Sequence, residues 1–271
     1  MSLPLPPVPP LPSAPQAWLR TLREWWAGWR QVIHFGAQVL VLAISPSSYR
    51  RSQRQRIVHA IYHATVPMLP SFTVIAAVIA LIIIRIVLAT ALSYGLTRYA
   101  LDVLVRTLVL ELIPLSAAIF AALRYAFAAG EQVRAMRLQG RFESELAAGR
   151  DPTRDTVLPR AAAGLFAVIT LAAVSGVITM VLTYVSVYGF ALWGLPGFTR
   201  TVGHVFNPVI VLIFSLKTFF LGMAVAIVPM VPTPREGSGE VGVLHVDVTR
   251  LARLLAVALL IEMVALVGNY Y

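Results

Sequence analysis

The chain has 271 residues, 58% of them hydrophobic and only 13% charged, with a mean hydropathy of +0.79, which is too apolar for an ordinary soluble domain. The formal charge of +10 comes from 21 arginines and a single lysine placed at the ends of apolar runs, the pattern of membrane flanks, which argues against a nucleic-acid partner. The absence of cysteine excludes disulfides, thiolate metal sites and cysteine nucleophiles, so the expected class is an all-α, polytopic membrane protein.

Residues 1–15 form a proline-rich tail without the apolar core of a signal peptide, and are expected to be disordered. Residues 16–45 follow as an interfacial region. In WLRTLREWWAGWRQ, Trp18, Leu19, Leu22, Trp25, Trp26 and Trp29 share one broad face, with Arg20, Arg23, Glu24 and Arg30 mostly opposite. That pattern predicts an amphipathic helix lying in the headgroup zone. His34 to Ile44 is too short for an independent span and either continues this helix or dips into the bilayer.

Residues 46–271 are expected to form one transmembrane domain. Arg50, Arg51, Arg54 and Arg56 make a basic cluster before the first span, about Val66 to Leu92, where Pro67 and Pro70 threaten the helix start. The second span, about Leu101 to Phe127, contains Asp102, Arg106, Glu111 and Pro114, so its polar side needs protein or water. A polar loop follows at about 128–160 with six arginines, Arg134, Arg137, Arg141, Arg150, Arg154 and Arg160. The third span runs from about Ala161 to Val187, and an outer loop with Trp193, Gly194 and Pro196 comes next. The fourth runs from about Phe206 to Val231. After the polar stretch PTPREGSGE, a fifth covers about Leu251 to Val267. Arginine is dense in 16–60 and 128–160 but occurs once each in 93–100 and 189–205. The bias places the N terminus inside and, after five crossings, the C terminus outside.

Few residues in these spans carry chemistry. Glu111 admits three readings: a carboxylate paired across helices with Arg106 or Arg124, a direct transport residue, or exposure to a watery lumen. Arg85, inside IALIIIRIVLA, either snorkels to an interface, meets an anionic substrate or partner helix, or pairs with Asp102 or Glu111. Lys217, the single lysine, reaches either an interface or a lipid phosphate. Glu262 reads as a packing or pairing residue. His59 and His63 stand at i,i+4 without the remainder of a metal motif. No phosphate loop of the ATPase type and no nucleophile elbow occurs, so no catalytic site and no cofactor is expected in this chain.

From Glu111 to Arg160 the residues follow a recognisable order without a gap. Glu111, Leu112 and Pro114 match an E-L-G-P core in which Ile113 replaces the glycine. Arg124 follows, with Leu123 in place of its glycine. Gln132 stands at an acidic position beside Glu131, Arg134 replaces a glycine, and Met136 matches. Gly140 and Arg141 replace an E-Q pair, and Asp151-Pro152 and Pro159-Arg160 match. In this the chain resembles the MlaE (YrbE-like) permease family, the membrane subunits of ABC-type lipid transporters that work with MCE-domain proteins. Lys217 stands where that family often has a lysine. The resemblance implies an inner-membrane permease moving phospholipid or a related lipid between inner and outer membranes, with a second permease copy forming a dimer. It further implies a cytoplasmic ABC ATPase that binds the ATP, a periplasmic MCE-domain partner and in some systems a STAS-domain protein. Arg85, Glu111 and Lys217 are the expected substrate-side residues. Arg124, Glu131, Arg134, Arg137, Arg141, Asp151, Pro152 and Arg160 are expected at the ATPase contact. A non-transporting scaffold and a proton-coupled secondary transporter acting through Glu111 are the competing classes.

Overall fold

The computed structural model describes residues 14–46, 51–232 and 243–270. The expected disordered tail up to residue 13, Arg50 and most of PTPREGSGE lie outside the described residues, as do the side chains of Trp18, Leu19, Leu22 and Trp25.

Helix α1 (Ala14–Ile44) is a single rod, so His34 to Ile44 continues the interfacial element. Phe35 and Val39 are buried against Ile227 and Met230, while Trp26, Ile33, Val41 and Ile44 face outward. Helix α2 (Arg51–Thr65) leads through a short turn at Val66 and Pro67 into α3 (Met68–Ser93). Pro67 and Pro70 stand at the cap and in the first turn of α3, where amides have no intrahelical acceptor, so neither proline breaks the span.

The second span is an uninterrupted helical rod, Tyr99–Leu138. Its parts are α4 (Thr97–Leu104), a π-turn segment Val105–Leu112, α5 (Ile113–Ala121), a second π segment Ala122–Ala126, and α6 (Phe127–Leu138). The first half of the expected 128–160 loop is therefore helix. At φ +68, Gly140 supplies the left-handed residue that turns the chain into α7 (Arg141–Ala147). Asp151 Oδ1 accepts from the Thr153 amide at 3.0 Å, and Pro152 opens the next helix, a start signal of cap plus proline. That helix becomes α8 (Leu158–Tyr188).

The outer loop also contains more structure than expected, since α9 (Leu195–Val205) occupies most of it. Asn207 then caps α10 (Pro208–Ile227) by accepting from the Ile210 amide at 2.9 Å, and α11 (Val243–Tyr270) closes the described chain. Among the described residues, five helices are long and apolar enough to cross a membrane. The protein is an all-α, multi-pass membrane protein.

Small residues let these helices approach closely. Ala117, Ala118, Ala121 and Ala122 pack with Phe72, Val168, Leu171 and Leu221 in the main core. The spans of the Tyr99–Leu138 rod and of α10 are half buried, whereas those of α3 and α11 are only 22% buried, so the rod and α10 form the interior. Gly130 touches the chain after α10, where an added Cβ would lie 2.4 Å from the Pro229 carbonyl oxygen.

Candidate functional site

The interior contains one charged group that spans three helices. Pro114 has no N–H for the carbonyl four residues back, that of Leu110, and Lys217 Nζ donates to that oxygen at 3.0 Å. The same ammonium donates to Glu111 Oε2 and lies 2.9 Å from Glu262 Oε2, close as an ion pair but off a hydrogen-bond axis. Asn269 Nδ2 donates to the other Glu111 oxygen at 2.9 Å. Lys217 is 2% exposed. The buried ammonium thus makes two hydrogen bonds and has a second carboxylate at ion-pair distance, the kind of compensation a buried charge requires.

This geometry identifies the partners of the residues singled out in the sequence. Glu111 is a cross-helix pairing residue, but its partner is Lys217. Arg106 instead binds Asp102 at 3.1 Å within its own helix, and Arg124 is exposed. Lys217 is held inside by the two carboxylates and does not reach the surface of this chain. Arg85 is exposed on α3 and pairs with neither Asp102 nor Glu111, so the structure separates it from the other two expected substrate-side residues. Beside the cluster, Leu108, Leu112, Ile113, Phe72 and Ile79 line an apolar cleft of about 270 Å³ between α3 and the rod.

The expected ATPase-contact residues divide into two sets. Glu131 binds Arg250 on α11 and lies 3.4 Å from Arg134. Arg137 donates to the Met230 carbonyl at 2.9 Å, with its guanidinium over the rings of Phe35 and Phe142. These side chains tie α6 to α1, α10 and α11, and Pro152 is buried. Arg160 is half-buried and donates to Thr156 O at 2.9 Å. Arg141 and Asp151 remain exposed, together with Glu143 and Ser144. Leu138 and Leu146 also stand out of the surface, at 57% and 60% exposure. Exposed apolar side chains at the end of α6 and on the short polar helix α7 suit contact with a partner.

Sequence reasoning had Glu262 as a packing or pairing residue without naming Lys217 as its partner, and missed Asn269 in the interior cluster and Arg250 as the partner of Glu131. Each is polar within an otherwise apolar helix, which was the available signal. Among the described residues, no group of three or more His, Asp or Glu side chains could hold a metal ion.

Compared with known proteins, residues 57–267 match the family model described as permease MlaE. No curated protein matches the chain.

Proposed function

Because the chain belongs to the MlaE permease family, it is the permease subunit of an ABC-type transporter and works with an ATPase, and we propose that its cargo is phospholipid or a related lipid. The observation that carries this reading is the Lys217–Glu111–Glu262 cluster, buried at mid-span beside an apolar cleft. Acyl chains need an apolar wall and a headgroup needs fixed polar groups. The cleft-lining Leu108 and Leu112 stand in the same π segment as Glu111, although none of the cluster's polar side chains lines the cleft itself.

In this reading the protein sits in a bacterial inner membrane and moves lipid between inner and outer membranes. A second permease copy completes the cavity, and an MCE-domain protein continues the path on the outer side. A STAS-domain protein is a further partner on the inner side. The ATPase binds the ATP. Arg141, Leu146 and the exposed face of α7 contact it, whereas Glu131, Arg134 and Arg137 transmit its motion inside the permease. Arg85, on the outward face of α3, meets the second copy or lipid.

The test combines copurification with lipid analysis. The native chain should bring down an ATPase and bound phospholipid. Arg141→Glu with Leu146→Glu should lose the ATPase and keep the lipid, and Glu111→Gln with Lys217→Met should lose the lipid and keep the ATPase. Native complexes without phospholipid would refute the cargo assignment.

A further inference from the structure

At the arginine-rich end, a second cleft of about 860 Å³ opens between α2, the rod and the start of α8. His59 and His63 line it from α2, joined by a 3.0 Å hydrogen bond between their Nε2 atoms. Arg56 comes from the same helix, and Tyr125 and Gln132 from the rod. Asp155, Pro159 and Arg160 close the far wall. The size suits a small-molecule headgroup.

The charges facing this space favour an anion. Arg56 and Arg160 stand against the single carboxylate of Asp155, which lies 3.6 Å from Arg56. That separation is too long for a firm hydrogen bond, so the Arg56 fork is not locked. Arg160 spends one N–H on Thr156 O at 2.9 Å and keeps the others. Two guanidiniums with the planar fork that fits phosphate oxygens make a phosphate cradle, walled by the paired imidazoles and by Tyr125, whose hydroxyl donates to the Arg160 carbonyl at 3.2 Å and so braces that residue.

Depth and surroundings identify the source of the phosphate. A span needs about 20 residues, so the hydrocarbon that begins near Ser93 ends near Thr73, and that beginning near Tyr99 ends near Ile119. Phe72 and Phe120 stack at 5.1 Å, which shows that both counts reach one level. Tyr125 lies about 8 Å further along the rod at 1.5 Å per residue, within the headgroup layer. Of the exposed apolar residues at this end, Val66 lies nearest the hydrocarbon, and α3 continues from it with an apolar outward face that includes Val74 and Val78. A soluble phosphate has no use for that face, whereas an acyl chain does.

We propose that this cleft binds the phosphate of an anionic phospholipid from the cytoplasmic leaflet, with an acyl chain passing Val66 into the hydrocarbon along α3. The site is separate from the Lys217 cluster, and it would be occupied whether or not that cluster handles cargo.

Acylation of histidines by diethyl pyrocarbonate reads the site directly, because His59, His63, His34 and His204 are all exposed and the latter two serve as controls. The full chain is placed in nanodiscs of phosphatidylcholine, with or without phosphatidylglycerol, and each histidine is followed by mass spectrometry. Phosphatidylglycerol should slow His59 and His63 about fivefold at about four-fifths occupancy, leave His34 and His204 unchanged, and lose its effect in the Arg56→Gln, Arg160→Gln double variant. If the double variant does not fold, Arg56→Gln alone, at an exposed position, should weaken the protection. Inorganic phosphate added to phosphatidylcholine discs forms the second arm. Protection by phosphate together with the lipid supports the assignment. Protection by phosphate alone would assign the cleft to a soluble phosphate compound and overturn the lipid. Equal slowing of His34, or no protection in either arm, would overturn the site.

Discussion

Replacing Lys217 with methionine separates the consequences of charge from those of volume. The two side chains are similar in length, so the volume filled changes little, but Glu111 and Glu262 lose their shared cation. Their side chains are 15% and 12% exposed, so water cannot replace the ammonium. Removing one partner of a buried ion pair costs about 3–5 kcal/mol. For a chain of this size that corresponds to a fall in melting temperature of about 6–20 °C, at roughly 2–4 °C per kcal/mol.

The companion variants fix the cause. The cluster has one carboxylate more than it has cations, so Glu262→Gln leaves a balanced Lys217–Glu111 pair and should cost no more than about 1 kcal/mol. Glu111→Gln should cost more, because the Asn269 hydrogen bond loses its charged acceptor. The triple variant Lys217→Met, Glu111→Gln, Glu262→Gln should recover most of the loss, since no charge remains buried. Thermal unfolding in detergent, followed by tryptophan fluorescence, ranks the set. A Lys217→Met protein melting within 2 °C of the native chain would refute the assignment of the cluster as a buried, mutually dependent group.

Gly130→Ala should destabilise by about 1–3 kcal/mol in the same assay, because its Cβ would lie 2.4 Å from the Pro229 oxygen and the α6 crossing must open. Arg137→Glu should lower the melting temperature and lose the ATPase together, since it breaks the bond to Met230 O. Leu146→Glu, at an exposed position, should lose the ATPase in pull-down with a stability change within about 0.5 kcal/mol. The cysteine-free sequence allows single-cysteine mapping of sidedness. Leu146→Cys should react with an impermeant maleimide only from the cytoplasmic face, and Phe190→Cys, at a 92% exposed position, only from the opposite face.

The spans were legible because a membrane helix must be apolar over most of its length, and each long run from Val66 onward became a helix, although those of the first three spans extend well past the expected arginine-side ends, the second as far as Leu138. The polar helices were not. The α6 and α7 region has no long apolar stripe to distinguish helix from loop, and LPGFTRTVGHV hides α9 behind a proline and two glycines. Within the site, Glu111 and Pro114 were readable as a local anomaly, since a proline frees a carbonyl that something must satisfy. What satisfied it was unreadable: Lys217 lies 107 positions away from Leu110, and no local pattern encodes that meeting. Arginines 106 and 124 were plausible partners only because they were near in sequence. Glu131 and Arg250, 119 positions apart, were hidden for the same reason.

The polar contacts link the two ends of the molecule mechanically. Glu111 and α6 sit on one continuous helical rod, which leads through the Gly140 turn to the exposed α7, and that rod changes register in two π segments, Val105–Leu112 around Glu111 and Ala122–Ala126 before α6. Such segments are weaker than the surrounding α-helix and are favoured places for bending. At the arginine-rich end, α6 is bound to the chain after α10 through Arg137 and Met230, and to α11 through Glu131 and Arg250. Those are the helices that carry Lys217 and Glu262. A tilt of α6 therefore pulls on all three members of the interior cluster at once, two of them through their own helices and Glu111 through the rod. Breaking Glu131–Arg250 by Arg250→Met should consequently uncouple ATP hydrolysis from lipid movement in reconstituted complexes while the ATPase stays bound. Unchanged transport per ATP in that variant would show that the tie is a brace and not a transmission.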